Sequence, residues 1–119
     1  MKYVVDPKLA DRYGVNAALV AQVIWKSIRS HEFSRKFQRW GKTWMRSSQK
    51  MFTASLPYLS HHQIRRALER LMKMGVIIRG EFSDSRFDRT SWYTFTQYGQ
   101  ALMEHSEEEK KHGQRDSIH

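Results

Sequence analysis

The 119-residue chain contains no cysteine. Disulfide bonds, thiolate zinc sites and cysteine nucleophiles are therefore excluded. Its longest apolar stretch, residues 17–25, is interrupted by Gln22 and is far shorter than the roughly 20 residues that a membrane-spanning helix needs. The N-terminal residues MKYVVDPKLA contain no apolar core of the length found in signal peptides. We therefore expect a cytoplasmic protein with no membrane partner.

Acidic residues are scarce relative to basic ones, with 12 Asp and Glu against 21 Lys and Arg and a formal net charge of +9. Such an excess favours an anionic partner. Residues 26–50 hold eight basic residues and only one acid, Glu32, whereas residues 90–119 hold three basic and five acidic residues. The sequence thus predicts a basic body and an acidic C-terminal end.

Two helix signals open the chain. Asp6 followed by Pro7 predicts the start of a short helix, because an aspartate can cap a helix and a proline fits its first position. Gly14 is a natural end for that helix. Asn16 is expected to cap a second helix, whose apolar residues recur at helical spacing: Leu19, Val20, Val23, Ile24 and Ile28.

The signals between the second helix and the next turn are shorter. A basic loop is expected up to the break at Gly41, followed by a short edge strand at residues 43–45. Residues 48–55 are expected to form a third, short helix, which Pro57 prevents from continuing.

A longer helix is predicted after this turn. Ser60 has the chemistry of an N-cap, and Gly75 lies where a helix end often takes a left-handed conformation. The stripe expected to be buried contains Ile64, Ala67, Leu68, Leu71 and Met74. The opposite face is mainly cationic and rich in hydrogen-bond donors, and it contains His62, Arg66, Glu69 and Lys73.

Residues 76–79 and 91–94 are predicted to pair as an antiparallel hairpin with its tip near Asp84 and Ser85. The β-branched and aromatic residues of FDRTSWYTFT suit a half-buried strand. Thr96 is expected to cap a last helix.

The predicted order is helix, short strand, helix, turn, helix and a two-stranded hairpin. This is the order of a winged helix-turn-helix, a mainly α fold with a small β-hairpin, in which the helix after the turn enters the major groove of DNA. We expect one such domain over residues 1–103. Residues 104–119 are expected to form a polar tail, acidic and then mixed in charge, that frays.

Three segments carry a resemblance to a known family: RWGKTWMRSS, LPYLSHHQIRRALERLMKMGVI and FDRTSWYTFT. Together they resemble the N-terminal domain of bacteriophage and prophage replication proteins of the replisome-organiser or replication-initiator type. The resemblance covers about residues 6–99. It implies a winged helix that binds double-stranded DNA in replication initiation or its control, with other replication proteins as further partners.

The candidate DNA-binding residues lie on the fourth helix, on the segment before it and in the hairpin loop. Phosphate contacts are expected from Arg46 and Lys50. The remaining candidates are Ser60, His61, His62, Gln63, Arg65, Arg66, Arg70, Lys73, Arg86 and Arg89. The alternative for the helix residues is an ordinary solvated face.

Several of these residues have a structural alternative. Glu69 is expected to pair with Lys73 at the i,i+4 spacing rather than to read bases. Arg86 and Arg89 have local pairing with Asp84 and Asp88 as an alternative to contact with phosphate. Base stacking by Trp44 and Trp92 competes with a place in the core, which short aromatic strands favour.

No enzyme is predicted, because the sequence has no Gly-rich phosphate loop, zinc signature or recognisable pair of nucleophile and base. The adjacent His61 and His62 point about 100° apart on a helix, so no metal or other cofactor is expected. Two alternative functions remain open. One is a transcriptional regulator, which usually requires a dimer, and the other is a winged-helix module that docks on an acidic replisome component or host factor.

Overall fold

The computed structural model describes residues 5–47, 49–82 and 91–117. The first helix, α1, spans Pro7–Tyr13, and its cap is confirmed because the Asp6 carboxylate accepts a 2.8 Å hydrogen bond from the backbone N–H of Lys8. The second helix, α2, spans Val15–Ser30. The prediction that Asn16 caps it is wrong, because Gly14, with φ +93°, ends α1 and directly precedes α2.

The segment predicted to be a basic loop contains a hairpin. A single 3₁₀ turn at Arg35–Phe37 leads into β1, Gln38–Arg39, which pairs antiparallel with β2, Lys42–Thr43. The next strand, β3, spans Met45–Ser47. The single strand predicted at residues 43–45 is therefore divided between β2 and β3 at Trp44.

The third and fourth helices follow the predicted order. Helix α3 spans Gln49–Ser55 and α4 spans His61–Lys73. Gly75 has a φ of +74°, as its predicted left-handed conformation requires. Met74 is the exception to the predicted buried stripe, because it lies at the C-cap, beyond the last helical residue, and its side chain is exposed.

A three-stranded antiparallel sheet has the order β3-β5-β4, where β4 is Ile77–Gly80 and β5 is Ser91–Phe95. The predicted antiparallel pairing of these two segments is confirmed, but the paired residues are 77–80 and 92–95, each one residue later than predicted, with Ile78 opposite Thr94. The predicted tip at Asp84 and Ser85 lies outside the described residues. The prediction of a half-buried strand is wrong, because β5 is the central strand and residues 92–95 are all buried.

The two faces of β5 pack against different partners. On one face, Tyr93 and Phe95 join the main core, where Phe52 of α3 meets Tyr93 and Trp25 of α2 meets Phe95. On the opposite face, Trp92 lies in a second aromatic cluster, which we call the outer cluster and which contains Phe37, Trp40, Trp44, Phe82 and Trp92.

The last helix, α5, spans Gln97–Ser117. Its predicted cap is confirmed, because the Thr96 hydroxyl accepts a 3.0 Å hydrogen bond from the backbone N–H of Gly99. The beginning of the predicted frayed tail is helical and packed, since Ser106 is buried and Glu109 pairs with Lys8 of α1. Met103 and Ser106 are buried one helical turn apart, so the stripe that contacts the rest of the protein continues past residue 103.

The chain is thus mainly helical with two small antiparallel sheets. In the part of the chain that the structure describes, no helix is long and apolar enough to cross a membrane.

Candidate nucleic-acid interface

Helix α4 has two chemically distinct faces. Its inner face is buried and consists of Ile64, Ala67, Leu68 and Leu71. This face packs against α2 and α3, which hold the helix in place. The outer face is exposed along its whole length and contains His61, His62, Gln63, Arg65, Arg66, Glu69, Arg70 and Lys73. The division of faces predicted from helical periodicity is therefore confirmed.

The basic side chains of the outer face are not neutralised by neighbouring acids. Arg65, Arg66, Arg70 and Lys73 stand beside a single acid of the same helix, Glu69. None of these four cations forms an ion pair with another residue in the described ranges. The predicted pair between Glu69 and Lys73 is therefore not formed, and the guanidinium and ammonium donors point into solvent without an acidic partner.

One flank of the outer face borders an open cleft of about 640 Å³. The opposite wall of this cleft is the turn between α1 and α2, including Tyr13, Gly14 and Asn16. The α4 side of the cleft is formed by His62, Gln63, Arg66, Ala67 and Arg70. Two unpaired arginines one turn apart therefore share a concave surface with the α1–α2 turn, which no local sequence signal indicated.

The first turn of α4 is fixed by a reciprocal pair of hydrogen bonds. The Ser60 hydroxyl accepts from the backbone N–H of Gln63 at 3.1 Å, and the Gln63 side-chain oxygen accepts from the backbone N–H of Ser60 at 2.9 Å. In this capping box the side chains of Ser60 and Gln63, both predicted to bind DNA, also stabilise the N-terminus of α4. The amide nitrogen of Gln63 is still available as a donor.

The two predicted phosphate contacts lie in different environments. Lys50 is exposed in the first turn of α3, the helix that packs against α4. Arg46 lies opposite Trp92 in the β3–β5 register, and its guanidinium carbon is 5.9 Å from the centroid of that indole. Arg46 therefore lies on the sheet face with the outer cluster, away from the face that meets the helices. The structure does not bring it to the outer face of α4.

Arg86 and Arg89, with their potential partners Asp84 and Asp88, lie outside the described residues. Trp44 and Trp92 are buried, with 0% and 5% of their surface exposed. Their place in the core is confirmed, and base stacking by these two side chains is excluded because neither indole is open to a ligand.

The exposed tryptophan is Trp40, which sequence reasoning missed and which is 79% exposed at the β1–β2 turn. The available signal was an Arg-Trp-Gly sequence in a basic stretch, where Gly41 favours a tight turn.

The described residues contain no group of three or more His, Asp or Glu side chains placed to hold a metal ion. Comparison with family models, curated proteins and solved structures found no match.

Proposed function

We propose that the protein is a winged helix-turn-helix that binds double-stranded DNA, with α4 as the recognition helix and the β4–β5 hairpin as the root of the wing. The order α2, β3, α3, α4, β4, β5 supports this proposal, because it is the order of elements in that fold. The antiparallel β3-β5-β4 sheet supports it as well. The β4–β5 hairpin follows α4, as a wing does, and its second strand pairs with β3, which precedes α3.

The observation that carries the proposal is the exposed, unpaired cationic face of α4. A B-DNA major groove is about 12 Å wide and admits one α-helix. Arg66 lies near the middle of this face, and its guanidinium can donate two hydrogen bonds to a guanine edge. Lys50 on α3 contacts phosphate. Arg46 has no phosphate role in this proposal, because it packs on Trp92.

We further propose that the protein is of phage or prophage origin and acts in the cytoplasm in DNA replication initiation or its control. The support is the family resemblance of the three segments quoted above. Of these segments, residues 39–47 lie in the β1–β2 hairpin and β3, residues 56–77 run from the α3–α4 turn through α4 to the start of β4, and residues 91–95 form β5. The proposed partners are duplex DNA and other replication proteins.

Duplex binding is tested by fluorescence anisotropy with a labelled mixed-sequence duplex of about 30 base pairs at about 50 mM salt. We expect binding that weakens steeply with salt, and a loss of at least roughly tenfold in the double variant Arg66→Ala, Arg70→Ala. Arg29→Gln is the control, because Arg29 lies in the last turn of α2, about 20 Å from the end that borders the cleft.

Absence of duplex binding by the wild type at low salt would overturn the proposal and favour a protein-interaction module. An equal loss in the Arg29→Gln control would show that net charge, rather than the α4 face, determines binding. Footprinting then separates a replication role from transcriptional regulation, since protection of an origin supports the former and protection of a palindromic promoter site supports the latter.

A further inference from the structure

The β1–β2 hairpin holds a tryptophan in an unfavourable backbone conformation. Gln38 pairs with Thr43 and Arg39 with Lys42, so the loop is the two residues Trp40 and Gly41. Their φ angles are +53° and +71°. Positive φ at both positions is the pattern of a type I′ turn, where Asn-Gly is preferred. A bulky side chain is disfavoured at the first position, and strain of this kind concentrates at functional sites.

Burial does not explain this tryptophan, because Trp40 is 79% exposed. Its ring is nonetheless held in place by edge-to-face contacts with Trp44 and Phe82, at centroid distances of 5.9 Å and 4.8 Å. A ring that is four-fifths exposed has at least one open face. The hairpin therefore presents a flat aromatic surface to solvent in a fixed orientation.

The segment that carries this surface is basic. Residues 35–42, RKFQRWGK, contain four basic residues and no acid. Two of them serve the fold: Arg39 donates to the carbonyl of Gln38 at 2.7 Å and lies over Trp92, and Lys42 donates to the carbonyl of Phe95 at 2.9 Å. The other two cations are Arg35 and Lys36.

Arg35 and Lys36 are exposed, and neither forms an ion pair within the described part of the chain. They precede Trp40 by five and four residues. Their Cα atoms are therefore within about 18 Å of that of Trp40. Two cations with available donors thus accompany the open indole on one short segment.

We propose that this hairpin binds single-stranded nucleic acid, with an unpaired base stacked on Trp40 and the adjoining phosphates contacted by Arg35 and Lys36. Stacked aromatic rings in a basic setting are how proteins hold single strands without reading sequence. A duplex offers no free base to stack on Trp40, because stacking and pairing within the duplex cover its bases. An acidic protein segment would match the cations but would leave the open indole face without a flat partner.

This activity goes beyond duplex binding and uses a different surface. Trp40 contacts Trp44 and Phe82 of the outer cluster, which lies on one face of the β3-β5-β4 sheet. Helix α4 packs its buried face into the main core on the other side of the sheet, and its basic face is turned away from that core. The two sites are therefore separable by mutation.

The test uses fluorescence anisotropy of the full chain with labelled oligothymidylate of about 15 nucleotides at about 50 mM salt. We expect Trp40→Ala to weaken binding between about fivefold and about 150-fold, the range for one base stacked on an aromatic side chain. Trp40→Phe should retain most of the affinity. Arg35→Gln combined with Lys36→Gln should reduce the salt slope by roughly 1.4, because each phosphate contact to a single strand contributes about 0.7.

Trp40→Asn is the matched variant, because Asn-Gly favours the same turn but lacks the ring. It should lose as much oligothymidylate affinity as Trp40→Ala while leaving duplex affinity unchanged. Arg66→Ala should show the reverse pattern. The proposal is overturned if the wild type does not bind the oligonucleotide, or if both Trp40 variants bind it as the wild type does; Trp40 then belongs to a protein contact. If the wild type binds oligothymidylate but not duplex, only the proposed duplex binding is overturned.

Discussion

Ser106 of α5 donates a 2.6 Å hydrogen bond to Oδ2 of Asp6, the residue that caps α1. The other carboxylate oxygen of Asp6 accepts from the backbone N–H of Lys8. Asp6 and Ser106 are both buried, and they are 100 residues apart along the chain. One carboxylate therefore caps the first helix and attaches the last helix to it, which makes residues beyond 103 part of the folded unit.

Replacing Ser106 tests this attachment. Ser106→Ala removes a hydrogen bond to a buried carboxylate and should lower the free energy of unfolding by about 1.5 to 3 kcal/mol, measured by urea denaturation. Glu108→Ala is the control, because Glu108 is exposed on the same helix and its loss should change stability by no more than about 0.5 kcal/mol. Equal effects of the two substitutions would mean that the bond between α1 and α5 does not stabilise the fold.

Gly99 allows α5 to approach the sheet closely. A Cβ atom built at this position would lie 1.9 Å from the carbonyl oxygen of Val76, which also accepts a hydrogen bond from the backbone N–H of Thr96. In an exposed helix, replacing glycine by alanine would stabilise by about 1 kcal/mol. Here we expect Gly99→Ala to destabilise the protein by more than about 2 kcal/mol, because backbone must move to relieve the overlap. A rise in the thermal midpoint would show that this contact is not tight.

The Tyr13 and Tyr98 hydroxyls are 2.6 Å apart and join α1 to the start of α5. The pKa of Tyr13 is raised from 10.0 to about 12. Burial of the hydroxyl is the larger cause, and its hydrogen bond to Tyr98 is the second. The folded state therefore keeps this proton where the unfolded chain loses it. The resulting stability is fully present below pH 10 and is lost as the pH rises towards 12.

We expect the free energy of unfolding to fall by on the order of 2 kcal/mol over this interval because of Tyr13. Other groups also titrate there, so the measurement is the difference between the wild type and Tyr13→Phe in urea denaturation at several alkaline pH values. The variant should show the shallower decline. Parallel curves would show that the tyrosine pair does not contribute to the pH dependence.

Arg66 and Lys50 are expected to play different roles on duplex DNA. Selection from a random duplex library would define the preferred site of the wild type. Arg66→Ala should weaken binding to that site by roughly 1 to 3 kcal/mol and flatten its preference over random duplex. Lys50→Ala should weaken both duplexes alike and reduce the salt slope by about one unit. If the two variants behave identically, the protein binds duplex without reading bases through Arg66.

The ends and faces of the main helices were predictable from the sequence. Asp6, Ser60 and Thr96 cap the helices that they were expected to cap, because capping depends on residues within one turn along the chain. The buried and exposed faces of α4 were predictable for the same reason, since helical periodicity is local. Asn16 was misplaced because a glycine two residues earlier, Gly14, already ends one helix and precedes the next.

Only the tertiary structure decided which tryptophans are open to a ligand. Trp40, Trp44 and Trp92 all lie within a few residues of basic side chains, so the local charge does not separate them. Which faces of β5 are covered depends on segments far along the chain, as in the 2.7 Å hydrogen bond from the Thr94 hydroxyl to the carbonyl of Thr43, 51 residues away.

The same distinction applies to the arginines. Arg46 and Arg66 look alike as cations in a basic sequence, yet one lies over a buried indole and the other lines an open cleft. The sequence determines on which side of its own helix or strand a residue lies, because that geometry repeats within a few residues. What covers that side is determined by packing between distant segments, and this packing leaves Trp40 and the outer face of α4 exposed while it buries Trp92.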